Sequence, residues 1–194
     1  MWTERLRDGT PIELRPIGPD DRQVLADGLR QLSPESRYRR FFAPVEHLTE
    51  AQLTYLTDVD HHDHEALVAM EPGTERGIGV ARFIRSEDDP AVAEFAVAVA
   101  DDWHQRGVGT ALIHRLTERA REEGITRFSG TILEENRPML GLVDELGDVR
   151  VRDRAAGAVE IEVDLPEEGI GTALRETLRA AARGLFRMRL PPRG

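Results

Sequence analysis

Apolar residues in the first sixty positions recur with two spacings, one typical of strands and one typical of helices. Residues 10–15 alternate between apolar and polar side chains, which predicts a strand. Residues 20–32 carry apolar side chains every three or four positions, which predicts a helix. Ser33 with the proline after it begins a second helix, and Thr49 with Gln52 forms a capping box that begins a third.

The rest of the chain alternates between predicted strands and predicted helices. The most apolar predicted strand is 91–100, and apolar side chains on both faces are typical of a strand in the centre of a sheet. A glycine-rich turn follows this strand. The predicted strands are 66–70, 78–84, 91–100, 127–133, 149–152 and 159–165, and helices follow the glycine-rich turn and cover 137–146. This order predicts a mixed α/β domain over residues 1–165. Residues 166–194 are predicted as an amphipathic helical extension that packs on the domain or on a partner.

Composition narrows the class of protein. The net charge of −10 argues against a nucleic-acid partner and suits cationic amines. No apolar run is long enough to span a membrane, and the first residues lack the apolar core of a secretory signal. The chain has no cysteine, so an acyl-cysteine intermediate is unavailable. We therefore expect a cytoplasmic protein with no membrane partner.

The turn from Gln105 to Thr110 is the first candidate binding site. A glycine-rich turn between a strand and a helix leaves main-chain N–H groups free at the positive end of the helix dipole, which favours an anion. Leu112 stands where a dinucleotide fingerprint needs its third glycine, and no Gly-Lys-Ser/Thr sequence of a P-loop follows. The turn is therefore a phosphate site of another kind, or an ordinary strand–helix connection.

Glu94 is the candidate catalytic residue, because it is the only charged residue in 91–100. Acylation of an amine needs a neutral nitrogen, so a base must remove a proton from the ammonium form. A glutamate shielded from water by this apolar strand would serve as that base. The alternative is a structural carboxylate paired with an arginine such as Arg82.

Two other polar segments are candidate substrate contacts. His61 and His62 lie in a predicted polar turn with His64, and their spacing does not direct three imidazoles to one point, so no metal is predicted. Tyr38 lies on a short helix rich in arginine, which by itself indicates a solvated basic surface; the family resemblance described next implies instead that this helix flanks the acceptor.

The glycine-rich turn belongs to a longer pattern that resembles the GNAT superfamily of N-acetyltransferases. Residues 97–112 are similar to the main cofactor motif of that superfamily, and residues 133–140 look like its second cofactor segment. The resemblance runs in order from Thr10 to about Leu165. It implies a mixed, mostly antiparallel central sheet flanked by helices, with acetyl-CoA as co-substrate and no metal.

The same resemblance implies roles for individual residues. Val97 and Val99 would offer main-chain groups to the pantetheine arm, and Asn136 would help to position the cofactor. The pyrophosphate would be held by Gln105, Arg106, Gly107, Val108, Gly109 and Thr110. The chain departs from the family at His104, where Gln or Arg is usual. It also lacks the tyrosine that many members use to protonate the departing thiolate, so that proton donor is unassigned.

A closer resemblance concerns the acceptor. Residues 32–42, 61–64 and 93–97 look like the catalytic domain of bacterial protein lysine acetyltransferases that modify acyl-CoA synthetases, whose catalytic glutamate matches Glu94. This implies direct transfer to a protein lysine. The alternatives are acetylation of a small amine and a non-catalytic acyl-CoA-binding module, and a homodimer is compatible with the sequence.

Overall fold

The computed structural model describes residues 1–166, which form one eight-stranded sheet with helices on both faces. The strands are β1 (Trp2–Arg5), β2 (Pro11–Pro16), β3 (His64–Met70), β4 (Gly77–Arg85), β5 (Val92–Val99), β6 (Arg127–Leu133), β7 (Val149–Ala155) and β8 (Ala158–Asp164). The helices are α1 (Arg22–Arg30), α2 (Pro34–Phe41), α3 (Glu50–Thr57), α4 (Val108–Glu122) and α5 (Arg137–Leu146). None of these helices is long and apolar enough to cross a membrane.

The sheet is mixed but mostly antiparallel, as predicted. Its strand order is β1-β2-β3-β4-β5-β6-β8-β7, and among the described strands only the neighbours β5 and β6 run parallel. The predicted C-terminal helix lies outside the described residues, and the domain boundary near residue 165 stays a prediction.

Local hydrogen bonds explain why two helices begin where the sequence predicted. The Ser33 hydroxyl accepts a hydrogen bond from the Ser36 main-chain N–H at 3.2 Å, which caps α2. Thr49 and Gln52 form a reciprocal capping box at the start of α3, with bonds of 3.2 and 2.9 Å. The structure adds β1, which the sequence pattern did not predict.

Helix α4 covers one face of the sheet, and α1 and α3 cover the other. Leu112 and Leu116 of α4 are fully buried against the central strands, where the rings of Phe95 and Phe128 stack with centroids 5.3 Å apart. A Leu-to-Ala change at either α4 position should cost about 2–5 kcal/mol of stability through the cavity it leaves. Leu25 and its neighbours form a smaller core on the opposite face.

The sheet opens between β5 and β6. These strands pair at only three positions, Val92 with Arg127, Ala93 with Phe128, and Glu94 with Ser129. β6 continues along β8 as far as Leu133, while β5 continues along β4. Beyond Glu94 the facing edges are therefore not paired with each other, and a wedge-shaped gap opens inside the sheet.

Candidate active site

The gap between β5 and β6 opens into a cleft of about 940 Å³, a volume at the upper end of the range for ligand sites. One wall is β5 from Glu94 to Val99, and the other includes Gly130 and Ile132 of β6. Helix α2, the turn before α4 and the first part of α5 contribute the remaining sides. Residues of both predicted cofactor segments, 97–112 and 133–140, therefore line the same cleft.

The open edge of β5 presents main-chain groups to this cleft. The Ala91 carbonyl accepts a hydrogen bond of 3.1 Å from β6, whereas the Ala100 N–H donates one of 2.9 Å to β4. Because backbone groups alternate between the two sides of a strand, Val97 and Val99 direct theirs towards the open edge. The His104 ring lies 2.9 Å from the Val99 carbonyl through Nε2, which must donate because a carbonyl only accepts. The Val97 groups and the Val99 N–H are left facing the gap.

The turn before α4 exposes a second set of main-chain donors. Gln105 and Gly107 both have positive φ, 60° and 99°, which turns the chain sharply into the helix. The first N–H of α4 with a carbonyl acceptor is that of Ala111, which donates to Gly107, and no described residue accepts a hydrogen bond from the N–H groups of Val108, Gly109 and Thr110 before it. Since these residues line the cleft, the helix dipole and three free donors favour an anion there.

The Arg106 side chain is directed away from that set of donors. Its guanidinium lies 4.0 Å from the centroid of the Trp103 ring and donates hydrogen bonds to Asp8 and Thr10, at 3.2 and 3.1 Å. Arg106 therefore fixes the turn against the β1–β2 hairpin. Only its main chain remains available to a ligand at the turn.

Asn136 lies on the other side of the cleft, at the start of α5. Its side-chain oxygen accepts a hydrogen bond of 3.3 Å from the Met139 N–H and so caps the helix. Asn136 and Met139 both line the cleft. The asparagine has a structural reason to be present in addition to the cofactor role that the resemblance implies.

Glu94 lines the cleft where the gap begins, at the last position of β5 that pairs with β6. The sequence argument expected it to be shielded from water, and this was wrong, because Glu94 is exposed where the two strands separate. It also forms no ion pair with Arg82, whose guanidinium contacts His64 instead. The described charge that interacts with Glu94 is that of Arg40 on α2.

The three predicted substrate contacts do not line the cleft. Tyr38 is 48% exposed on α2 and is absent from the cleft walls. His61 Nδ1 lies 2.8 Å from a carboxylate oxygen of the buried Glu65, and His62 contacts Glu123 at the end of α4. These histidines thus belong to a polar network outside the cleft. In residues 1–166 no group of three or more His, Asp or Glu side chains is arranged to hold a metal ion.

Two arginines near Glu94 were not predicted as site residues from the sequence. Arg40 lines the cleft, and Arg82 of β4 lies on the same face of the sheet as Glu94. Arg82 is the only charged residue between Ile78 and Ile84. A single charged residue in an apolar strand is also what indicated Glu94, so the same criterion would have identified Arg82.

A parallel strand pair that separates beside an amide-lined turn defines the class of acyltransferases that the sequence pattern resembled. The chain belongs to this class: the model of the "Acetyltransferase (GNAT) family" matches residues 29–147. It is 38% identical to the acetyltransferase Pat of Mycolicibacterium smegmatis over 162 residues, or 84% of this chain and 48% of that protein. It is 32% identical to acetyltransferase PA5475 of Pseudomonas aeruginosa, covering 78% of this chain and 82% of the relative.

The solved structures agree with these sequence relatives. The GNAT domain of S. lividans PAT superposes with a TM-score of 0.78 at 33% identity, over 84% of this chain and 96% of that domain. The chain spans about half the length of the M. smegmatis Pat protein that it matches.

Proposed function

We propose that this chain transfers an acetyl group from acetyl-CoA directly to an amine, and that the amine is a lysine side chain of another protein. The observation that carries this proposal is the wedge between β5 and β6. It brings a set of free main-chain donors and the carboxylate of Glu94 into one cleft.

The residues present fit acetyl-CoA. A pyrophosphate needs several N–H donors and positive potential, and the turn from Gln105 to Thr110 offers both. The pantetheine arm carries amide groups, which match the main-chain groups of Val97 and Val99 on the open edge of β5. In this proposal Asn136 lies against the cofactor on the opposite wall. When bound, acetyl-CoA supplies an activated thioester.

The chemistry assigned to the protein is proton removal and charge stabilisation. Glu94 takes a proton from the acceptor ammonium, the neutral nitrogen bonds to the thioester carbonyl carbon, and the carbon–sulfur bond breaks. The Val97 N–H stabilises the negative oxygen that forms, because a fixed dipole needs no reorganisation during the reaction. Glu94 is exposed in the free protein, so we infer that bound substrates exclude water from it.

A protein lysine is the acceptor that the resemblance of three segments to protein lysine acetyltransferases supports. The segment at residues 32–42, which resembles that of protein lysine acetyltransferases, forms α2 beside the cleft, and Arg40 and Phe41 of this helix line it. An acyl-CoA synthetase is the first acceptor to test, on the basis of the same resemblance. We place this reaction in the cytoplasm.

The test is a thiol-release assay with acetyl-CoA, run in parallel on lysine-bearing proteins, including an acyl-CoA synthetase, and on small amines. Mass spectrometry then locates the modified lysines. The chain itself contains no lysine, so acetylation of its own side chains cannot contribute to the signal. Rapid turnover of small amines without protein acetylation would replace the acceptor. Acetyl-CoA binding without thiol release on any amine would favour a non-catalytic binding module.

A further inference from the structure

Among residues 1–166, Arg82 is a buried cation without an anionic partner. The residue is 4% exposed, and its guanidinium contacts only neutral groups, the His64 ring at 3.0 Å and the Leu56 carbonyl at 3.3 Å. Its Nε is buried and has no hydrogen-bond partner in the part of the chain that the structure describes. Within residues 1–166 no carboxylate forms an ion pair with it. Because buried charges in proteins are normally paired, this arrangement needs an explanation.

Arg40 adds a second cation to the same region. It forms no hydrogen bond or ion pair with another described residue, and its guanidinium lies 5.1 Å from the centroid of the Phe41 ring. Burial lowers the pKa of Arg40, although the charge of Glu94 partly opposes this, and burial together with the charge of Arg40 lowers the pKa of Arg82 to about 10. Two neighbouring cations that repel each other would both be stabilised by one anion between them.

A cavity of about 70 Å³ lies beside these arginines, and most of its wall is apolar. It adjoins the cleft, because Leu32, Arg40, Phe41, Ala98 and Val99 line both. A single water needs about 10–15 Å³ by the same measure, so the space suits a short chain of roughly four or five non-hydrogen atoms.

The strand register connects this cavity to the reacting groups. Arg82 pairs across from Ala96, which is two residues from Glu94 and on the same face of β5. Ala96 and Ala98, which follow Glu94 on this face of β5, have small side chains, and both line the cleft. An acyl chain or an acceptor side chain that enters the cleft beside Glu94 would reach the cavity.

We propose that Arg40 and Arg82 form a carboxylate-binding subsite beside Glu94. The carboxylate belongs either to a dicarboxylic acyl group carried on CoA or to the acceptor amine. This inference rests on the proposed function, because the subsite shares the cleft with the reacting groups. An ammonium group is the wrong occupant, since two arginines would repel it.

The donor arm of the test compares succinyl-CoA with butyryl-CoA, which has a methyl group in place of the carboxylate. Both donors are offered to one amine that carries no other charged group. A hydrogen bond to a charged group is typically worth about ten- to a hundredfold in affinity, so wild type should prefer succinyl-CoA by that factor. Arg82→Met and Arg40→Met should each abolish the preference, while Arg82→Lys should keep part of it. Arg30→Met, at an exposed position on α1, is the matched control and should leave the ratio unchanged.

The acceptor arm uses acetyl-CoA with 4-aminobutyrate and with butylamine. A preference for 4-aminobutyrate that Arg82→Met removes would assign the carboxylate to the acceptor. Calorimetry with succinyl-CoA and butyryl-CoA measures the same preference without turnover, so a lack of transferase activity would refute the proposed function and not the subsite. Equal binding of both acyl-CoAs by wild type, together with equal use of both amines, would overturn the subsite.

Discussion

The phosphate site at the start of α4 makes Gly109→Glu the most informative single change. A Cβ at Gly109 would lie 3.6 Å from Leu142 and 3.7 Å from Val99, which are ordinary contacts, so a Cβ fits at this position without moving the backbone. A carboxylate there would lie roughly 5 Å from a phosphate held by the neighbouring N–H groups, and two unit charges at that distance repel by about 3 kcal/mol at an effective dielectric constant of about 20. CoA affinity should therefore fall by at least about a hundredfold.

The same change should slightly stabilise the free protein, because an acidic residue in the first turn of a helix interacts favourably with the dipole. Calorimetry with CoA and thermal unfolding without it would measure these two opposite effects. Gly109→Gln is the matched control, since it has the same bulk without the charge, and it should bind CoA at least about ten times more tightly than the Glu variant. Unchanged affinity in Gly109→Glu, or an equal loss in both variants, would refute the electrostatic argument.

Three further predictions concern ionisable groups. Glu94→Gln should lower kcat about a hundred- to ten-thousandfold with CoA affinity retained, and higher pH should partly restore the rate; a wild-type rate at neutral pH would make Glu94 structural. Burial and the charge of Arg82 lower the pKa of His64 from 6.5 to about 4. The free energy of unfolding should therefore decline as pH falls from 6.5 to about 4, and His64→Gln should remove this slope. Burial tends to raise the pKa of Asp21, but the hydrogen bonds and charge of Arg15 lower it below 3.8. Asp21→Asn should therefore destabilise the protein above pH 3.8, and this difference from wild type should disappear at lower pH.

Local chemistry explains which parts of the fold were predictable. The caps at Ser33 and Thr49 depend on residues three positions apart, so the sequence contains all the information that they need. The periodicity of 108–122 likewise reflects one buried face of α4. β1 was missed because Trp2–Arg5 is defined by its pairing with β2 and not by its own pattern.

The environment of Glu94 could not be predicted in the same way. An apolar strand indicated burial, but exposure at this position depends on where β6 stops pairing, which is a tertiary property. The positions of His61 and His62 outside the cleft could not be predicted for a similar reason. Their turn packs against the end of α4, sixty residues further along the chain.

The short pairing between β5 and β6 also divides the sheet into two parts with few backbone hydrogen bonds between them. Through the backbone, β6, β8 and β7 join the rest of the sheet at three residue pairs, and their other connections are side-chain contacts in the shared core and between α4 and α5. A unit with so few connections can open locally at a lower free energy than the whole domain unfolds. A ligand in the cleft contacts both walls, so it would stabilise the closed state by mass action. Hydrogen exchange in β6 and β8 should therefore slow when CoA binds, and the cofactor would act as part of the tertiary structure.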